Sequence, residues 1–191
     1  MSVSSMMRPA RHPDASGPPS GVLWSEACDG LSLRNATFGD GADIWRLVGE
    51  TGVLDLNSPY AYLMMGNWFA DTSVVAAADG RLAGFVMGFS PPRQADTVFV
   101  WQVGVAAAMR GRGLGRRMLD ALVRRSPGAI RYLEATVTPS NEASEALFRG
   151  FARSRAARCA VSDLFPSHAF PTGGHEAERL FRIGPLLPRQ Q

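Results

Sequence analysis

The chain has 191 residues, of which 46% are hydrophobic and 19% charged, and this balance is typical of a globular protein with one sizeable core. Its net charge of +3 comes from scattered arginines, without a basic helix or a zinc-binding spacing, which argues against nucleic acid as a partner. No apolar run approaches the roughly 18 residues that span a membrane, and no apolar segment follows the early arginines as in a secretory signal, so we expect a cytoplasmic protein without a membrane partner.

The N-terminal part is predicted to contain a tail, a strand and a helix. Residues 1–30 are rich in Ser, Pro, Gly and Ala and have few large apolar groups, so we expect a disordered tail before a domain over 31–191. Residues 31–34 alternate between apolar and polar, which predicts a first strand. Asp40 is a candidate cap for a following helix. The apolar face of that helix consists of Ile44, Trp45, Leu47 and Val48.

The next segment is predicted to form a turn, a short helix and a hairpin. Residues 55–62 read as a polar turn, and a short helix is expected to begin near Leu63. Residues 73–89 are predicted to form a hairpin, because Asp79-Gly80 is a preferred pair for a tight turn.

The second half alternates strands with helices. Apolar or alternating runs predict strands at 98–105, 132–138, 159–162 and 178–183, and helical spacing predicts helices after Leu114 and over 142–151. The whole order is a strand, helices, three strands, a helix, a strand, a helix and two strands. This order predicts one mixed α/β layer.

A basic, glycine-dense loop over 110–115 joins the 98–105 strand to the helix after it. Glycine lets a backbone approach an anion closely, and the free N–H groups of a helix's first turn favour negative charge. Arg110, Arg112 and Arg116 add guanidinium groups suited to pyrophosphate. The chain has no lysine, which excludes a P-loop, and the loop lies too far along the chain for a Rossmann fingerprint.

Arg-x-x-Gly-x-Gly after an extended strand resembles the acetyl-CoA signature of the GNAT family of N-acetyltransferases, and the resemblance covers about 33–184. It implies an α/β fold with a mixed, mostly antiparallel sheet flanked by helices, and acetyl-CoA as co-substrate. Asn141 corresponds to a residue that contacts the pantetheine arm in the family, although Asn is also a preferred helix N-cap. The expected coenzyme-binding residues are Val103, Val105, Arg110, Gly111, Arg112, Gly113, Leu114, Gly115, Arg116, Asn141 and Phe148.

Other segments carry a more specific resemblance than the glycine loop does. They resemble the L-2,4-diaminobutyrate acetyltransferases, a branch of that family, and lie at 54–62, 99–103, 133–144, 163–166 and 175–176. This resemblance implies a small diamine substrate that is acetylated on its 4-amino group, a role in ectoine biosynthesis, and a homodimer. The expected substrate-binding residues are Asp55, Asn57, Tyr60, Trp101, Gln102, His175 and Glu176. Open alternatives are a helix cap for Asp55, core packing for Trp101 and a plain loop residue for His175.

The implied reaction needs a group that takes a proton from the amine and a donor for the oxyanion. We expect Glu134 to accept the proton, because a carboxylate among apolar residues is costly unless it is used or paired; a buried ion pair with an arginine is the alternative. The backbone N–H of Val103 is the candidate oxyanion donor. Many relatives have a tyrosine where this chain has Phe148, so three alternatives stay open: the thiolate leaves without a general acid, or Tyr60 or water protonates it.

Two other functions stay open at this point. The chain could acetylate a different small amine or a peptide, which a panel of amines would distinguish. It could also bind acyl-CoA as a regulator without catalysis, and the absence of a hydroxyl at Phe148 is the one hint of this. With two separated cysteines, Cys28 and Cys159, and His12 in the tail, we expect no metal.

Overall fold

The computed structural model describes residues 23–28, 30–126, 129–171 and 174–187, and within these ranges it contains four α-helices and one eight-stranded sheet. The strands are β1 (Ser25–Cys28), β2 (Leu31–Asn35), β3 (Val74–Ala78), β4 (Arg81–Phe89), β5 (Thr97–Val105), β6 (Tyr132–Val137), β7 (Cys159–Phe165) and β8 (Glu178–Ile183). The helices are α1 (Gly41–Thr51), α2 (Pro59–Trp68), α3 (Leu114–Arg125) and α4 (Glu142–Ser154). In this described part, no helix is long and apolar enough to cross a membrane.

The sheet has the strand order β1-β2-β3-β4-β5-β6-β8-β7, and β5 with β6 is its one parallel pair among the described strands. The predicted mixed, mostly antiparallel sheet is therefore confirmed. Between β3 and β4, Asp79 and Gly80 have φ of 49° and 73°, the left-handed pair that an Asp-Gly hairpin turn adopts.

Helices cover both faces of the sheet. On one face, α3 and α4 contribute Leu119 and Phe148 to the buried cluster that contains Leu133 of β6. On the other face, α1 and α2 contribute Ile44 and Tyr62 to a second buried cluster. Burial of these two apolar faces supplies the main driving force for folding, and it fixes the positions of the strands between them.

The two central strands, β5 and β6, separate towards their C-terminal ends. β5 and β6 pair only from Thr97–Val100 with Tyr132–Ala135, and beyond these residues the two strands separate. A β-bulge marks the same place, because the pairing of β4 with β5 steps from Gln102 to Val100 and leaves Trp101 unopposed. The separation opens a wedge-shaped space, which we call the splay, at the end of the central strands.

Two boundaries differ from the sequence expectations near the N-terminus. Composition places Ser25–Cys28 in the tail, but this segment forms β1 in antiparallel pairing with β2. Glu26 holds this strand to the end of α3 through ion pairs of 2.8 and 2.5 Å with Arg124 and Arg125. The composition of the segment conceals the strand because most of its side chains are small or polar. Residues 1–22 and 29 lie outside the described residues, so the rest of the tail stays a prediction.

Helix α2 begins at Pro59 rather than near Leu63, so it takes in part of the segment predicted as a turn. Ser58 occupies the N-cap position, and proline is well tolerated in the first turn of a helix, where its missing N–H has no partner to lose. β7 extends to Phe165 rather than stopping at 162, because it pairs with β8 along its length.

Candidate active site

A groove of 570 Å³ runs beside the glycine loop, between the end of β5 and the first turns of α3 and α4. Most of the residues predicted to hold coenzyme A line it. They are Val103, Val105, Arg110, Gly111, Gly113, Leu114, Gly115, Arg116 and Asn141. Two other predicted residues do not: Arg112 is exposed and lines no described cavity, and Phe148 lines a second, smaller cavity.

The loop has the backbone shape that an anion site requires. Gly111 and Gly113 have φ of 74° and 72°, a left-handed conformation that residues with a Cβ rarely adopt. Gly113 is the N-cap of α3 and has no side chain, so the first-turn N–H groups of α3 have no side-chain cap there. These donors and the helix dipole favour a phosphate group at this position.

Asn141 lies at the N-terminus of α4 and borders both cavities. Its side-chain oxygen accepts a hydrogen bond of 3.0 Å from the backbone N–H of Ser144. The N-cap alternative is therefore present in the structure. Because this cap uses only the side-chain oxygen, the side-chain NH₂ of Asn141 can serve as a donor for a pantetheine carbonyl.

The second cavity occupies the splay and has a volume of 110 Å³. It adjoins the groove, and both are bordered by Val53, Leu54, Val103, Asn141 and Ser144. Its other lining residues are Asp55, Val100, Trp101, Gln102, Ala135, Thr136, Val137, Thr138, Phe148 and Glu178. A ligand that extends along the groove therefore reaches the small cavity, which is partly polar.

The backbone direction of β5 suits an oxyanion donor at the splay. The N–H of Ala106 donates to the carbonyl of Ala83 on β4, at 2.9 Å. Because N–H groups alternate in direction along a strand, those of Val103 and Val105 point away from β4 and towards the splay. This direction supports Val103 as the candidate donor.

Asp55 lines the small cavity, and His175, which borders neither cavity, lies beside Asp55. The Nε2 atom of His175 lies 3.5 Å from Oδ2 of Asp55, and the imidazole stacks on Phe170 with ring centroids 3.8 Å apart. The backbone carbonyl of Glu176 accepts from Nδ1 of His175 and raises the pKa of that imidazole, and Asp55 raises this pKa further. The arrangement joins a carboxylate and an imidazole from distant parts of the chain.

Glu178, at the start of β8, is the site residue that sequence reasoning missed. Glu178 lines the small cavity, and the buried Oε2 atom of its carboxyl has no hydrogen-bond partner among the described residues. Burial raises the pKa of this carboxyl above its usual value, an effect opposed by the Thr136 hydroxyl and by His175. A carboxylate in this state can hold an ammonium group or accept its proton.

Glu134 lies elsewhere, although it shares a face of β6 with Thr136. It is 6% exposed, forms an ion pair with Arg182 and borders neither cavity. Arg182 also donates to Gln94 at 3.0 Å and lies 3.9 Å from the ring centroid of Tyr132. The structure thus has the ion pair that was the alternative for Glu134, and it does not support Glu134 as the proton acceptor.

The remaining predicted substrate residues fall into two groups. Trp101 and Gln102 line the small cavity. The other three do not line it. Asn57 donates to the carbonyl of Asp55 at 3.1 Å, and Glu176 accepts from the N–H of Ser140 at 3.2 Å. Tyr60 is 66% exposed. For these three, contact with substrate stays a prediction.

The sequence matches the acetyltransferase (GNAT) family over residues 43–151. The chain belongs to this family. It is also 50% identical to an L-2,4-diaminobutyric acid acetyltransferase from Shouchella clausii, over 82% of this chain and 88% of that protein. A protein of the same name from Marinococcus halophilus is 51% identical, over 83% of this chain and 92% of its own.

A solved structure is similar along the same length. The diaminobutyrate acetyltransferase of Paenibacillus lautus, in complex with its substrate L-2,4-diaminobutyric acid and coenzyme A, superposes with a TM-score of 0.79 and is 38% identical; the match covers 88% of this acetyltransferase and 100% of that chain. Among the described residues of this acetyltransferase, no group of three His, Cys, Asp or Glu side chains could hold a metal ion.

Proposed function

We propose that this acetyltransferase transfers the acetyl group of acetyl-CoA to the 4-amino group of L-2,4-diaminobutyrate. The observation that carries the proposal is the small cavity in the splay, because it is lined by two carboxylates and adjoins the coenzyme groove. The Paenibacillus lautus protein, which is 38% identical and binds L-2,4-diaminobutyric acid and coenzyme A, supports the same assignment.

The coenzyme lies with its pyrophosphate at the glycine loop and its thioester in the splay. Arg110 and Arg116 border the groove and supply positive charge beside the first turn of α3. The pantetheine arm takes the place of a missing strand along β5, where β6 no longer pairs. This path brings the thioester to Val103, at the junction of the two cavities.

The diamine binds in the small cavity, where both of its ammonium groups find counter-charges. Asp55 stands at the mouth and Glu178 lies deeper, beside Thr136. A cavity of 110 Å³ accommodates a short amino acid, and the ring of Trp101 forms part of its wall. Ammonium groups that leave water need such charged partners, because an unpaired buried charge is costly.

In the reaction, an ammonium group first loses its proton, directly or through a water molecule, to the Glu178 carboxylate. The neutral amine attacks the thioester carbonyl carbon, and the N–H of Val103 donates to the oxygen as it becomes negative. The attacking nitrogen then gives up its second proton to solvent water, the C–S bond breaks, an amide is formed and coenzyme A leaves as the thiolate. Phe148 has no proton to donate, so the thiolate leaves unprotonated or takes its proton from water or Tyr60.

Release of free thiol tests the proposal against its main rival. Wild-type protein mixed with acetyl-CoA and L-2,4-diaminobutyrate is expected to release thiol in proportion to enzyme concentration, as measured with a thiol-reactive dye. Binding of coenzyme A without release, for every amine tested, would instead favour a non-catalytic acyl-CoA-binding regulator.

We expect Asp55→Asn to raise the KM for the diamine on the order of tenfold, because an ammonium group loses its charged hydrogen-bond partner. The KM for acetyl-CoA should stay unchanged, because Asp55 borders the small cavity and not the groove. Initial rates at varied diamine concentration measure the effect. The control is Asp43→Asn, which removes an exposed carboxylate paired with Arg46 on α1 and should leave both KM values as in wild type. An unaltered diamine KM in Asp55→Asn would contradict the role of Asp55.

We also infer a cytoplasmic homodimer that serves ectoine biosynthesis during osmotic stress, as the resemblance to the diaminobutyrate acetyltransferases implies. Helix α2 supports self-association, because it has no charged residue and its Tyr60, Leu63 and Trp68 are 66%, 40% and 62% exposed. An exposed apolar helix face is typical of an interface. Light scattering is expected to give twice the mass of one chain, and the mass of one chain would contradict the inference.

A further inference from the structure

A chain of buried hydrogen bonds lies behind the segment that carries Asp55. Tyr62 of α2 is fully buried, and its hydroxyl donates to Oε1 of Gln102 at 3.0 Å. The side-chain amide of Gln102 donates in turn to the backbone carbonyl of Asp55 at 2.8 Å. The N–H of Asn57 closes the arrangement by donating to the Tyr62 oxygen at 3.4 Å.

The chemistry of these groups permits only one orientation of the Gln102 amide. If it were flipped, its oxygen would face the carbonyl oxygen of Asp55, and two acceptors would be opposed. In the observed orientation the amide joins α2 to the backbone at Asp55, and Gln102 is only 8% exposed. Its side-chain oxygen and nitrogen each have a protein partner, so Gln102 is poorly placed to add a strong contact to substrate.

The fold explains why these residues meet. The β-bulge at Trp101 shifts the following residue, and both Trp101 and Gln102 reach Tyr62: the rings of Trp101 and Tyr62 are 5.7 Å apart. Helix α2 starts early, at Pro59, which brings Tyr62 into the core beneath the 55–57 segment. The side chain of Asp55, by contrast, is 82% exposed, and among the described residues its one ion pair is with His175, at 3.5 Å.

We propose that Tyr62 and Gln102 are positioning residues for the diamine site, which hold the Asp55 backbone so that its carboxylate faces the splay. This inference rests on the proposed function and adds two residues to it. Without the hydroxyl of Tyr62, Gln102 and the N–H of Asn57 both lose a partner, and the 55–57 segment gains freedom. Asp55 then meets the ammonium group in only a fraction of the molecules, and the apparent affinity for the diamine falls by that fraction.

The test compares KM values for the two substrates in Tyr62→Phe. The diamine KM should rise on the order of tenfold, the effect of one buried hydrogen bond, while the acetyl-CoA KM stays within about twofold of wild type. In an Asp55→Asn background the same substitution should change the diamine KM by less than about twofold, because both changes act through one carboxylate. Gln102→Met should reproduce this pattern.

Thr72→Val is the matched control, because the Thr72 hydroxyl is also buried and donates to the carbonyl of Gly88 at 2.8 Å, away from the Asp55 segment. It should leave the diamine KM unchanged. Equal effects on both KM values, additive effects with Asp55→Asn, or loss of folding in both Tyr62→Phe and Gln102→Met would overturn the inference and leave a merely structural role. A wild-type protein that acetylates no diamine would overturn the proposed function, and the inference with it.

Discussion

Glu178→Gln is expected to lower kcat by roughly 10²–10⁴-fold, the usual span for a positioned base, while acetyl-CoA affinity stays as in wild type. Glutamine has nearly the same shape but cannot accept the amine proton. The deficit should shrink as pH rises, because more of the amine then arrives neutral. Steady-state rates across pH, with coenzyme binding by calorimetry, measure both quantities. A near-wild-type kcat at neutral pH would show that Glu178 is not the proton acceptor.

The raised pKa of Glu178 adds two pH-dependent expectations. Activity needs the carboxylate, so in wild type kcat/KM should fall as pH drops through this raised pKa, and Glu178→Gln should lack that limb. The free energy of unfolding depends on pH in the opposite direction. A carboxyl whose pKa is raised by folding stabilises the fold when it is protonated. This stabilisation is lost as pH rises through the folded-state pKa. At neutral pH, Glu178→Gln should therefore melt at or above the wild-type temperature.

Glu134→Gln is the matched control, because it makes the same chemical change on the neighbouring strand. The substitution breaks the ion pair with Arg182, so the positive charge of that guanidinium loses its carboxylate partner. We expect a near-wild-type kcat and a free energy of unfolding lower by about 1–3 kcal/mol, since Arg182 is partly exposed and water replaces some of the loss. A large kcat defect in Glu134→Gln with full activity in Glu178→Gln would reverse the assignment.

Gly113→Val is expected to weaken acetyl-CoA binding by at least about tenfold. A valine at φ of 72° is strained, so the loop must leave the left-handed conformation that directs its N–H groups into the groove. Isothermal titration with coenzyme A measures the dissociation constant. Arg112→Ala should have a smaller effect, because Arg112 lines neither cavity and other donors remain.

Gly80→Val is the control that distinguishes the effect of backbone strain on stability from an effect on coenzyme binding. Gly80 has φ of 73°, and a Cβ at either Gly80 or Gly113 would meet no heavy atom of the described residues within 4 Å, so both substitutions impose the same backbone strain. Gly80 lies in the β3–β4 turn, away from the groove, so the variant should lose stability but keep coenzyme affinity. A folded Gly113→Val protein with wild-type affinity would contradict the role of the loop.

The sequence was sufficient for features that depend on local chemistry. The Asp79-Gly80 turn and the glycine-loop start of α3 follow from which residues tolerate positive φ, and both are confirmed. The strand predicted at Glu178–Ile183 is also confirmed. In each case the deciding interactions lie within a few residues of one another.

The choice between Glu134 and Glu178 could not be made in this way. Both are glutamates on predicted strands, and only the register of β6 on β8 shows that Glu134 lies opposite Arg182. Likewise, Tyr60 and Tyr62 differ by two positions in one string, and the start of α2 decides which of them is buried. Such outcomes depend on pairing between distant segments, which a single sequence does not display.

The most direct test of the proposed function is kcat/KM for L-2,4-diaminobutyrate, ornithine and lysine, with NMR to locate the acetyl group. A cavity that holds both α-groups fixes the distance from the amine to the thioester, and misplacement by about 1 Å costs on the order of 10²-fold. We therefore expect 2,4-diaminobutyrate to exceed ornithine by about that factor, lysine to be slower still, and the acetyl group to be on the 4-amino nitrogen. Equal values for lysine, or acetylation of the 2-amino group, would contradict the proposed substrate and leave only an acetyltransferase of another amine.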